Sequence, residues 1–219
     1  MGTRTLNEVE SKALLAAAGI PVSEAWLARS ASEAVAMARE CGFPVALKVM
    51  SRDVVHKSDA GGVRLGLQDA GQVEQAFVAM TAEIAAVHPA AEIDGVSVQR
   101  MALPGVEVIV GMNHDPQFGP VIMFGLGGVL VELLDDVAFR VVPVARVDAH
   151  EMIHEIRGLP LLQGYRGSEA CDLAALEDLI VCVSRFVEAN AQVREIDLNP
   201  VFARRDGVEA VDARVVVDD

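Results

Sequence analysis

Aromatic residues make up only 4% of this 219-residue chain, with one Trp and one Tyr. So thin a supply removes the stacking platforms on which a single-strand nucleic-acid binder lays its bases. Cations are scarce too: 18 Lys and Arg against 32 Asp and Glu give a formal net charge of −14. Phosphate backbones are gripped by surplus Lys and Arg, so nucleic acid is excluded as the main partner. Cys41, Cys171 and Cys182 are too few and too scattered for a disulfide framework or a Cys-based zinc site. Cys182 lies in an apolar helical pattern and reads as a small buried hydrophobe. The hydrophobic fraction is 52%, yet no apolar run reaches the roughly 18 residues of a membrane span. The opening "MGTRTLNEVESKALLAAAGI" carries acids where a signal peptide would be apolar. These readings lead us to expect a soluble, cytoplasmic protein with no membrane partner, long enough for one large domain or two small ones.

What is present alternates helix and strand. Asn7 and Glu10 form a capping pair for a helix that stops at Gly19, and Ser30 with Glu33 caps "ASEAVAMARE". "VSEAWLA", "PVALKVM", "GGVRLGL", "GVSVQRM", "GVEVIVGMN", "GPVIMFG" and "AFRVVPV" read as strands. "AGQVEQAFVAMTAEIAAV" is a helix, and Asp172 caps a second, "LAALEDLIVCVSRFVEA". The chain closes with "VREIDLNPVFAR", a turn at Asp206-Gly207 and the strand "VEAVDARVVV". Strands outnumber those of a pure βαβ series, so an α+β fold with antiparallel pairing is expected.

Four features invite a chemical reading. His150-Glu151-x-x-His154 has the spacing of helical zinc peptidases. However, Ala149, Met152, Ile153 and Ile156 form the apolar stripe of that short helix, leaving the histidines on its flank. Lys48 stands in an apolar strand, where its ammonium must either snorkel to solvent or meet an anion. Downstream, Gly61 and Gly62 form a turn suited to folding amides over phosphate. His56 precedes them in a polar loop, as a nucleophile or proton carrier or as an ordinary surface histidine. In "EIDLNP", period two sets Glu195, Asp197 and Asn199 on one strand face, with Asp212 across a hairpin. Oxygen donors of this kind suit Mg²⁺ bridging to phosphates, or form a solvated polar face. Glu107, an acid inside an apolar strand, also needs a reason to be there.

Together, "GFPVALKVMS", "VVHKSDAGGVRLGL", "GVEVIVGMNHDPQFGPVIMFGLGG", "VELLDDVAFRVVP", "LLQGYRG" and "EIDLNP" resemble, in order, the ATP-grasp domain of NDP-forming acyl-CoA synthetase β subunits. Succinyl-CoA synthetase β subunits look like more distant relatives. The resemblance runs from about Leu6 to Asp212. It implies an ATP-grasp fold of two α/β subdomains, residues 1–101 and 102–219, with ATP or ADP held between their sheets. Lys48 would contact the phosphates under the loop of Gly61 and Gly62, and Glu107 the ribose. The backbone of Gln99, Arg100 and Met101 would meet adenine, and Asn199 and Asp212 would hold Mg²⁺. His56 would relay phosphate between an α-subunit phosphohistidine and the nucleotide, with Asp197 orienting it or assisting the metal. The implied reaction is acyl-CoA + phosphate + ADP ⇌ acid + CoA + ATP, carried out as a hetero-oligomer with an α subunit or fused CoA-binding domains. The rival within this resemblance is a non-catalytic nucleotide-binding module of a fused protein acetyltransferase.

Overall fold

The computed structural model describes residues 2–51, 61–128 and 136–219. Its elements run β1 (Thr3–Thr5), α1 (Glu8–Ala17), β2 (Trp26–Ala28), α2 (Ala31–Cys41), β3 (Val45–Ser51), β4 (Val63–Leu67), α3 (Ala70–Val87), β5 (Ile93–Arg100) and β6 (Val106–Asp115). There follow β7 (Gly119–Leu126), β8 (Val137–Val141), α4 (Arg146–Glu155), α5 (Leu159–Leu162), α6 (Leu173–Ala189), β9 (Val193–Arg204), β10 (Gly207–Ala210) and β11 (Ala213–Asp218). Every pairing between these strands is antiparallel. The α+β expectation therefore holds. Among the described residues no helix is long and apolar enough to cross a membrane.

Helix starts follow side-chain chemistry. Asn7 and Glu10 exchange bonds, each side chain accepting from the other's backbone N–H at 2.9–3.0 Å, which satisfies two N–H groups that a helix leaves open. Ser30 accepts from the Glu33 amide and Asp172 from the Ala175 amide. Asp69 caps α3 in the same way through the Gln72 amide.

The chain divides into two compact units. The smaller comprises Asn7–Glu10 and Ser23–Ala102. Its sheet has the order β2-β5-β3-β4. Leu47, Val49 and Val98 pack with Phe77, Met80 and Ile84 of α3 in its core. Alternation sends Ala46, Lys48 and Met50 of β3 to the opposite face, and these are buried as well.

The larger unit comprises Met1–Leu6, Ser11–Val22 and Leu103–Asp219. Its sheet has the order β1-β11-β9-β6-β7-β8, with β10 also on β9. Phe124, Met152, Ile153, Leu176, Ile180 and Val183 belong to one core under this sheet. Residues 1–6 and 11–22 group with residues 103–219, whereas residues 7–10 group with the smaller unit. β1 pairs with β11, Thr3 opposite Asp218, and Leu6, Leu15 and Ile20 join the larger core. Burial of those side chains, each contributing about 1.5–3 kcal/mol, decides the matter against chain proximity.

The end of the chain also departs from expectation. Arg204 pairs with Gly207, so the two-residue turn is Arg205-Asp206 rather than Asp206-Gly207. "VEAVDARVVV" is two strands, with β10 on the second half of β9 and β11 on the first.

Phe124 is fully buried, so Phe124→Ala should lower the unfolding free energy by about 3–5 kcal/mol in urea titrations. Val78→Ala, at an exposed position on α3, should change it by no more than about 0.5 kcal/mol.

Candidate functional site

Lys48 sits mid-strand on β3, between β4 and β5, opposite Val63 and Ser97. Its ammonium meets an anion: Nζ lies 2.8 Å from Glu8 Oε1, with both side chains buried. Gln99, two residues along on the same face of β5, donates from Nε2 to the same Glu8 oxygen at 3.4 Å. Its Oε1 accepts from Ser23 Oγ. The sequence pointed to Lys48 and Gln99 but not to Glu8 or Ser23. Glu8, Ser11, Lys12 and Leu15 stand at i, i+3, i+4 and i+7, the spacing of one helix face, and all four are buried. That periodicity was available in the sequence, hidden because three of the four residues are polar.

Beyond Gln99, Arg100 pairs with Val45 and the Met101 amide donates to Pro44 O at 2.9 Å. Gly61 has φ +72°, a left-handed conformation that glycine adopts freely. Its carbonyl accepts from Arg64, which is also paired with Glu83 at 2.6 Å. The Gly62 carbonyl accepts from the Val49 amide. Arg64 thus fixes a turn that the sequence marked only by its glycines. His56 lies outside the described residues.

In the larger unit, β9 alternates in two stretches, parted where its register with β6 shifts between Val108 and Val110. Ile196 and Leu198 of the first stretch, and Val201 and Ala203 of the second, enter the core, while Glu195 and Asp197 take the other face and Asn199 stands exposed at the shift. Asp197 stands opposite Gly111 on β6 and Arg214 on β11. The break between β10 and β11 falls at Val211 and Asp212. Pairing of Ala213 with Leu198 leaves Asp212 across from Asn199. Lys12, itself buried, donates to Val211 O at 2.7 Å and so fixes this break. Val211 N–H donates to Pro200 O, and Asp212 Oδ1 accepts from the Ala213 amide. Glu107 lies on the same face of the sheet, since its neighbours Val106 and Val108 turn to the core. A Cβ on Gly128 would come within 2.8 Å of Glu107 Oε2, so that glycine gives the carboxylate its room. Burial pushes the Asp197 carboxyl above its ordinary range; Arg214 opposes this, and Glu195 and Asp212 add to it. Glu195 is itself ion-paired with Arg214.

The His-Glu-x-x-His pair is on α4, whose Ala149, Met152 and Ile153 are buried as the stripe required. His150 Nδ1 lies 2.8 Å from Glu177 Oε1, and His154 Nδ1 2.8 Å from the His150 carbonyl. Glu151 is 3.7 Å from Arg140, which also holds Glu155 at 2.9 Å. Each member of the motif therefore has a partner within or beside the helix.

A sequence model of the ATP-grasp domain matches residues 1–217; the chain belongs to the ATP-grasp family. Its kinship within that family is close. The β subunit of the ADP-forming acetate–CoA ligase I of Pyrococcus furiosus is 45% identical over 214 residues, covering 98% of this chain and 92% of that one. The ADP-forming acetate–CoA ligase I of Archaeoglobus fulgidus is 46% identical over 208 residues, 95% of this chain but 30% of that longer protein. Acetyl-coenzyme A synthetase 1 of Ca. Korarchaeum cryptofilum, in complex with coenzyme A and Ca-AMPCP, matches with a TM-score of 0.95 and 46% identity, covering 98% of this chain and 94% of that one. A second structure of that synthetase holds Mg-AMPPCP, with a phosphohistidine segment pointing towards the nucleotide site (TM-score 0.86, 43% identity, 98% and 93% covered). This chain is thus a β-subunit-like ATP-grasp module of the ADP-forming acetyl-CoA synthetase kind.

The Asp197 shift has a direct consequence for stability. A carboxyl whose pKa is raised by folding favours the fold when protonated, and that advantage disappears as pH rises through the folded value. At pH 7, well above the ordinary carboxylate range, Asp197 therefore costs stability. Asp197→Asn should raise Tm by a few degrees at pH 7. The difference should vanish below about pH 4, where both side chains are neutral; differential scanning calorimetry across that range checks it.

Proposed function

We propose that the chain is the nucleotide-binding β module of a cytoplasmic acid–CoA ligase, acting with an α partner that binds CoA. That partner is supplied as a separate subunit or as a fused domain. The reaction is acyl-CoA + phosphate + ADP ⇌ acid + CoA + ATP. The observation that carries this reading is the polar face of the larger sheet, where Asp212 stands opposite Asn199 and Asp197 and Glu107 share that face.

Asn199 and Asp212 offer oxygen donors only, one amide and one carboxylate. That set fits Mg²⁺, which is commonly held by one or two carboxylates together with substrate phosphates and water. When bound, Mg²⁺ would neutralise phosphate charge. Lys48 binds phosphate from β3, and the turn of Gly61 and Gly62, held by Arg64, lies over the same groups. Glu107 accepts from ribose hydroxyls. Adenine meets the strand of Gln99, Arg100 and Met101. Because the Met101 amide already donates to Pro44, the base presents its exocyclic amino group to a strand carbonyl. Asp197 orients His56 or assists the metal.

His56 divides the transfer in two. The phosphoryl group leaves the partner's histidine nitrogen and bonds to the His56 imidazole. That N–P bond then breaks as a β-phosphate oxygen of ADP takes the phosphoryl group. Such transfer needs positioning and neutralised charge above all, and the nucleophilic imidazole splits one long displacement into two shorter ones.

The test adds the α partner and follows ATP formation from an acyl-CoA, ADP and phosphate. His56→Ala should abolish it, while Mg-ADP at 100 times Kd still stabilises the variant by about 2.7 kcal/mol. Asp212→Ala should raise the Mg²⁺ concentration needed for half-maximal rate. Full activity of His56→Ala overturns the relay. Nucleotide binding without any turnover by the wild type favours the non-catalytic regulatory module.

A further inference from the structure

We infer that Glu8 is a positioning residue for Lys48: its carboxylate is the resident counter-anion that holds the ammonium in the nucleotide-free chain and releases it to the nucleotide phosphates. This rests on the reading of Lys48 as a phosphate ligand. The pair measures 2.8 Å, with side-chain exposures of 8% for Lys48 and 1% for Glu8. Breaking a pair so deeply buried by removing one partner is strongly destabilising, because it strands the other charge. Lys48 on β3 therefore needs an anion whenever phosphate is absent, and Glu8 supplies it.

Glu8 is also placed to let go. It stands in the first turn of α1, where open N–H groups and the helix dipole favour a negative charge. The same Oε1 that receives Lys48 also accepts from Gln99 Nε2 at 3.4 Å, and Gln99 is held at its other end by Ser23. The carboxylate thus keeps stabilising partners once the ammonium turns to phosphate. Ala46 and Met50, which flank Lys48 on its own face of β3, are apolar. Exchange between carboxylate and phosphate follows from this arrangement. Nucleotide affinity then contains the cost of breaking the ion pair, since a ligand that favours one state must first displace the other.

Titration calorimetry with Mg-ADP on the full chain tests this with Glu8→Gln, which removes the charge and keeps the shape. The nucleotide-free variant should melt at a lower temperature than the wild type yet bind Mg-ADP about tenfold more tightly. At saturating Mg-ADP the difference in melting temperature should shrink. Unchanged affinity would mean that Glu8 stays on Lys48 in both states, and weaker affinity that it helps to bind phosphate; either overturns the exchange. If Glu8→Gln does not fold, a structure of the wild type with Mg-ADP decides. Lys48 Nζ on a phosphate oxygen and out of reach of Glu8 supports the exchange, whereas a retained ion pair sinks it. Lys48→Met should weaken Mg-ADP binding. Wild-type affinity in that variant overturns the phosphate reading of Lys48 itself, and the exchange with it, whatever Glu8→Gln does.

Discussion

The larger unit depends on one constraint: β9 must bury one face completely while offering the other to chemistry. Twelve residues long, it pairs with β6 on one side and with both β10 and β11 on the other. Alternation then sets the faces within each of two stretches, on either side of a register shift with β6. Ile196 and Leu198 before the shift, and Val201 and Ala203 after it, fix the register through the core, and a slip of one residue would turn either pair out. Asp197 and Asn199 inherit their positions from that register. The break at Val211 and Asp212 falls opposite Asn199 and Pro200, where the proline leaves β9 without an N–H to donate, and it is this break that delivers a carboxylate opposite Asn199.

In the smaller unit the constraint is electrostatic. A strand buried on both faces carries a cation at its centre, and the chain meets it with a carboxylate from α1, forty positions away in sequence. Against a net charge of −14, cations are scarce and several hold defined positions. Lys48 stands beside Glu8, Arg64 beside Gly61, Lys12 on the Val211 carbonyl, and Arg214 between Glu195 and Asp197.

Periodicity made much of this legible in advance. The strand alternation of β3 and of β9 through Leu198, the caps at Asn7, Ser30 and Asp172, and the helical stripe through Met152 and Ile153 all follow from spacing alone, because local geometry dictates them. Pairings across long separations were not legible. Nothing near Thr3 announces Asp218, and nothing near Glu8 announces Lys48, since these partners are selected by packing and charge in the folded state. Polar residues in buried positions of α1 further hid a helix face that apolar residues would have advertised. The break inside "VEAVDARVVV" was hidden for a similar reason: its composition suits a continuous strand, and the division is set by its distant partners, Pro200 across the ladder and Lys12 on the Val211 carbonyl.

The pairing of β1 with β11 bears on how the chain is made. Thr3 leaves the ribosome long before Asp218, yet they are neighbours in one sheet. The four strands of the smaller unit are complete once residue 100 has been synthesised, so that sheet can form while translation continues. The larger sheet has to wait, with β6, β7 and β8 emerged but β9 and its partners still missing. Such non-local pairings form slowly, and unpaired strand edges invite association in the meantime. For this molecule the vulnerable interval in folding is set by the time needed to translate residues 142–218, and the strand that receives β1 is the last of the sheet to be made.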